Sequence, residues 1–165
     1  MTSTITTKPI SYGSGAVIQL VNFLVDHEEY GVEVLKVREI IRMTDVTRVP
    51  NAPAFVDGVF NLRGKVIPII SLRKRLSLPL VGYDGNTRII VLDLDNELTG
   101  IIVDSVSEVI RITTDDIQPS PEGSPHDNDS GMFSGLVNRG DRLIILLNLS
   151  ILLNCDKAKS NDGVH

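Results

Sequence analysis

The sequence predicts an all-β protein made of short strands, with one motif used twice, and three observations carry that prediction. Val and Ile together number 36 against 4 Ala, and β-branched side chains suit a pleated surface better than a helix. The 13 Gly and 8 Pro supply the turns that a barrel or sandwich of short strands requires. The chain also contains itself: displaced by 69 residues, Leu20–Thr44 lies over Ile89–Thr113 without a gap, and nine of the 25 positions are identical. These are Asp26/Asp95, Glu28/Glu97, Gly31/Gly100, Val34/Val103, Val37/Val106, Glu39/Glu108, Ile41/Ile110, Arg42/Arg111 and Thr44/Thr113. Ordinary composition would give about one or two by chance.

Each unit opens with an apolar strand, turns through carboxylates (Asp26 to Glu29, Asp95 to Glu97) and returns as a second strand. In the first unit that strand takes in Val34 to Ile41, with Glu39 at its end. After a connection, Gly58–Leu72 matches Gly135–Leu149. Both read as strand, tight Arg-Gly turn and strand, with Gly64 and Gly140 supplying the positive φ that such hairpins need. Ser71 and Asn148 then stand as N-caps of a short helical tail, and Pro79 is expected to stop the first tail. Gly82–Asn86 is a turn-forming linker too short to let the halves separate. A unit of about 65 residues buries too little surface to be stable alone, so the two are expected to share a core. Pro119–Gly131, rich in Pro, Ser, Asp and Gly, is expected to be a surface loop, and the ends to fray.

Charge and composition exclude several functions. With 165 residues, a net charge of −5 and a pI near 5.1, the chain lacks the clustered cations of a nucleic-acid groove. Arg73, Lys74 and Arg75 form only a local basic spot, and seven Phe and Tyr are few for base stacking. The longest obvious apolar run, Leu143–Leu147, falls far short of the roughly 18 residues of a bilayer span. The Thr- and Ser-rich start lacks a signal-peptide layout, and the single Cys155 suits a reducing compartment, so a cytoplasmic location is expected.

The residues of catalysis do not assemble in the sequence. His27, His126 and His165 fall in a turn, a loop and a tail, without metal-ligand spacing. Cys155 has no His near it in sequence to act as a base, and reads as an inert thiol. Asn61–Gly64 lacks the glycines and the Lys-Ser/Thr of a phosphate cradle. Glu39, Glu108, Asp93 and Asp104 read as solvent-facing positions of the repeat rather than as an acid/base pair. No catalytic, metal-binding or cofactor-binding residue is assigned. A specific architecture without such chemistry points to recognition of other proteins; the alternative is a double barrel that binds or transforms a small molecule in the cleft between halves. Arg63, at a hairpin tip, and Glu39 are expected to form an ion pair that fixes the shape of a groove between the halves.

Four stretches, Glu28–Ile40, Pro53–Gly64, Val66–Leu72 and Gly135–Leu147, resemble CheW-type chemotaxis coupling proteins in order and spacing, over roughly Val17–Asn154. The resemblance implies two tandem five-stranded SH3-like barrels around a shared hydrophobic core. They would be intertwined subdomains at about residues 16–81 and 86–154 of one domain (16–154), between flexible ends (1–15 and 155–165). It implies a non-catalytic adaptor that connects the chemotaxis histidine kinase to the cytoplasmic tips of chemoreceptors in arrays. There the kinase's regulatory domain has the same double-barrel fold and alternates with the adaptor in rings. Carried over by position, receptor binding falls to Glu39, Arg63 and Val109, and kinase binding to Val34, Val37 and Gly58. With no room in 165 residues for an attached receiver domain, the chain is expected to differ from the related fusion adaptors.

Overall fold

Eleven strands form two sheets in the computed structural model, which describes residues 15–54, 56–119 and 132–153. Apart from Gly15 and Pro119, the loop and the two ends expected to be mobile lie outside the described residues, as do His126, Cys155 and His165. In chain order the elements are β1 (Val17–Val25), β2 (Glu28–Glu33), β3 (Val37–Arg42), β4 (Val56–Leu62), β5 (Lys65–Ser71), α1 (Leu72–Arg75), β6 (Arg88–Leu94) and β7 (Glu97–Val103). They continue with β8 (Ser105–Thr113), β9 (Ile117–Gln118), β10 (Phe133–Arg139), β11 (Arg142–Leu147) and α2 at residues 149–153.

Local chemistry sets the hairpins. The β1–β2 and β6–β7 turns each hold two consecutive residues at positive φ, Asp26–His27 and Asp95–Asn96, residues whose short polar side chains tolerate the left-handed region. The β4–β5 turn does the same with Arg63 and Gly64. Ser71 Oγ accepts from Lys74 N–H and Asn148 Oδ1 from Ile151 N–H, the capping expected of both tails. α1, however, ends at Arg75, and Ser77 already has positive φ, so the backbone has turned away before Pro79 is reached.

The second strand of each repeat unit is not one strand. In the first unit it breaks at a 3-10 turn, Val34–Lys36, and in the second at the single residue Asp104. At each break the chain leaves one sheet for the other. The six-stranded sheet runs β8-β1-β2-β11-β10-β9 and the five-stranded sheet β3-β6-β7-β5-β4. Each therefore takes one N-terminal hairpin from one half of the chain and the remaining strands from the other half. The unit that repeats in sequence is not the unit that folds in space.

Both sheets close in the same way. After β3 the chain returns so that Thr47 and Val59 exchange backbone hydrogen bonds of 2.8 Å each, and after β8 the short β9 pairs with β10. The rings are SH3-like barrels, and β9 is the sixth strand beyond the five expected of each. Each has a filled interior, Leu20, Ile110, Val137 and Ile144 in one and Phe60, Ile67, Ile89 and Val91 in the other. A third cluster, including Phe23, Tyr30, Ile70, Ile90, Leu92 and Ile101 and capped by Leu149, Leu152 and Leu153, joins them as the shared core. Successive residues such as Ile89 and Ile90 thus face different cores, so β6 is apolar almost without alternation.

Candidate functional site: a braced surface across two barrels

Glu39 lies on β3 and Arg63 at the β4–β5 tip, and their side chains meet. The guanidinium donates to both carboxylate oxygens, Nη1 to Oε1 at 2.5 Å and Nη2 to Oε2 at 3.1 Å, the fork geometry that Arg offers and Lys does not. These hydrogen bonds hold the Glu39 carboxyl below its ordinary range and raise the Arg63 guanidinium. The expected pair is present, but both residues belong to the five-stranded sheet and to the first half of the chain. It braces one barrel by tying its strand β3 to its hairpin tip, and does not bridge the halves.

The other named residues divide by exposure. Val109, on β8 of the six-stranded sheet, is 54% exposed, an apolar side chain offered to solvent rather than a core residue. Its counterpart in the repeat, Ile40, is also exposed. Val34 opens the 3-10 turn and Val37 follows it, and both pack half-buried against the edge of the shared core. Between them Leu35 is 88% exposed. Gly58 is buried with φ +152°, and a Cβ there would lie 2.1 Å from the Thr47 carbonyl oxygen. It has no surface of its own to offer; its glycine is required by the backbone that closes the barrel.

The four carboxylates expected to face solvent are each held by an arginine: Glu39 by Arg63, Asp93 by Arg38 at 2.9 Å, Asp104 by Arg73 at 2.6 Å and Glu108 by Arg142 at 2.7 Å. Arg142 also pairs with Glu29, whose carboxylate takes a hydrogen bond from the buried Asn22. Each barrel thus carries an Arg–Glu brace beside an exposed apolar residue, Glu39–Arg63 by Ile40 and Glu108–Arg142 by Val109. The recurrence of Glu39 as Glu108 was the sequence signal for the second brace. Nothing in the repeat pointed to its arginine, because Arg142 aligns with Lys65 and not with Arg63. Among the described residues no three His, Cys, Asp or Glu converge as metal ligands, and no helix is long and apolar enough to cross a membrane. The arrangement can present charge and apolar surface at fixed geometry.

The profile of the CheW-like domain matches residues 19–157, the span of both barrels. The chain belongs to the CheW-like family. It is 40% identical over 142 residues to the chemotaxis protein CheW of Klebsiella aerogenes, covering 86% of this chain and 85% of that one. To the CheW of Helicobacter pylori it is 36% identical over 140 residues, with 85% and 84% covered. The scaffolding protein TtCheW of Thermoanaerobacter tengcongensis superposes with a TM-score of 0.76 at 34% identity, over 82% of this chain and 91% of that one. CheW-like membership accounts for the double barrel and places the chain among chemotaxis scaffolds.

Proposed function

We propose that this CheW-like chain is a cytoplasmic, non-catalytic adaptor that couples the tips of chemoreceptors to the chemotaxis histidine kinase within receptor arrays. Receptor contact falls to Glu39, Arg63 and Val109, which draw on both barrels, and kinase contact to the neighbourhood of Val34, Val37 and Gly58. The observation that carries this reading is the 142-residue likeness to a chemotaxis protein, which covers 86% of this chain. The surface supports it. Braced hairpins and exposed Val109, Ile40 and Leu35 give small apolar contacts between fixed charges, suited to a transient interface of modest area whose control arises from many copies. Mixing the protein with a receptor cytoplasmic fragment and the kinase tests the proposal. Ternary complexes and a changed phosphorylation rate are expected; neither, with folded partners, refutes it.

A further inference from the structure

The two places where the chain crosses between barrels are related by the duplication but built differently. At the β7–β8 crossover Asp104 receives Arg73 in a fork, Nε to Oδ1 at 3.0 Å and Nη2 to Oδ2 at 2.6 Å. Arg73 Nη1 also donates to Asp26 Oδ1 at 3.4 Å and to the Pro79 carbonyl at 2.5 Å. Asp104 is held from the other side as well: Asp26 N–H donates to its carboxylate at 2.9 Å, and its own N–H donates to the Leu24 carbonyl at 3.0 Å. The participants come from different bodies. Arg73 lies on α1, directly after β5 of the five-stranded barrel, Leu24 and Asp26 lie on β1 and its turn in the six-stranded barrel, and Asp104 is the chain passing between them. The Arg73 side chain is only 12% exposed.

At the other crossover the corresponding residues are Leu35 for Asp104 and Ser150 for Arg73. Leu35 points into solvent, and among the described residues no salt bridge involves Glu33, Leu35 or Lys36. Instead of a filled seam there is a groove of about 430 Å³, lined by Glu33, Lys36, Leu94 and Ser150 among others; the space around Arg73 and Asp104 is about 180 Å³.

We propose that Arg73 is a positioning residue that locks the β7–β8 crossover, so that the angle between the barrels is set at Arg73 and Asp104 while Val34–Lys36 serves as the pivot. A bidentate, part-buried guanidinium–carboxylate contact resists rotation because both hydrogen bonds must break together. A single 3-10 turn held by the apolar packing of Val34 and by no ion pair absorbs backbone change more readily than a crossover pinned by a fork. That the angle matters for partner binding rests on the function proposed above.

The test uses the full chain with Cys155→Ser, Lys65→Cys and Asp141→Cys, the last two at exposed positions on the hairpin tips of opposite barrels and spin-labelled for pulsed distance measurement. The parent is expected to give one narrow distance peak. Arg73→Gln is expected to lose it to a broad distribution, and Arg73→Lys, which keeps the charge but not the fork, to fall between. An unchanged peak in Arg73→Gln overturns the proposal. Should that variant fail to fold, Asp104→Asn removes the same charged contact and is read by the same criterion. Binding of the receptor fragment is measured on the same samples. A broadened peak with unaltered binding upholds the lock and shows that receptor contact does not depend on the angle between the barrels, whereas an unaltered peak defeats the lock whatever the binding.

Discussion

Replacing Gly58 by Ala should open the five-stranded barrel at its closure. The new Cβ would sit 2.1 Å from the Thr47 oxygen and 2.7 Å from its carbonyl carbon; both atoms are backbone and cannot rotate away. Either β4 or the Thr47 segment must move, and the two 2.8 Å hydrogen bonds between Thr47 and Val59 are lost. At about 1 kcal/mol each, with about 1–3 kcal/mol more for a side chain at this φ, the expected loss is roughly 3–5 kcal/mol. At about 2–4 °C per kcal/mol for a chain of this size, the melting midpoint falls by roughly 6–20 °C. Gly64→Ala is the control: its φ is +88° but nothing lies within 4 Å of the added Cβ, leaving about 1–2 kcal/mol of backbone strain. Thermal or urea unfolding followed by circular dichroism compares the two, and amide exchange at Thr47 and Val59 should quicken in Gly58→Ala alone. If Gly58→Ala melts no lower than Gly64→Ala, close approach of the closing segment is not what demands glycine there. Any loss of kinase binding in this variant then needs another cause.

Arg63→Ala and Glu39→Lys should leave thermal unfolding nearly unchanged, because the guanidinium is 71% exposed and exposed ion pairs stabilise little, while weakening capture by a receptor fragment; a large fall in melting temperature would make the pair structural. Burial pushes the Asp104 carboxyl up, but hydrogen bonds from Arg73 and from the Asp26 N–H outweigh it, so its folded pKa lies below the ordinary 3.8. A depressed folded pKa contributes stability that is fully present above the unfolded value and lost as pH falls through the folded one. The stability gap between the parent and Asp104→Asn, from denaturant titrations, should therefore be constant near neutral pH and close only below about pH 4. Phe23→Ala removes a fully buried ring stacked on Tyr30 at 5.9 Å in the shared core and should cost about 3–5 kcal/mol; a cost below 1 kcal/mol would mean that the seam between barrels is not a packed core.

Strand content, turns and duplication were legible because each is local or periodic. Asp26–His27 and Arg63–Gly64 carry their turn geometry in residue type, and Ser71 and Asn148 announce their caps. The exchange of hairpins was not legible, since Val34–Ile41 reads as one strand whichever sheet its two ends join. Only the exposed Leu35 inside it hints at a break, and an isolated surface leucine is ordinary. The Glu39–Arg63 contact could be anticipated from a hairpin tip and a strand end. The Arg73 cluster could not, because Asp26, Arg73 and Asp104 are brought together by the crossing of the chain, and the duplication that revealed so much else puts Ser150 and Leu35 in two of those places.

The shared ownership of the barrels also orders their appearance during synthesis. Once residue 103 has left the ribosome, every strand of the five-stranded barrel exists. The hairpin β1–β2, made before any of them, must wait for β8 and β11. Its Ile18 and Leu20, whose core partners Ile110, Ile112, Val137, Ile144 and Leu146 all follow residue 103, spend that interval without their final neighbours, the kind of exposed apolar edge that nascent chains shield through chaperones. A stop codon shortly after residue 103 would therefore release one complete ring carrying an orphaned, sticky hairpin, not half of a working molecule.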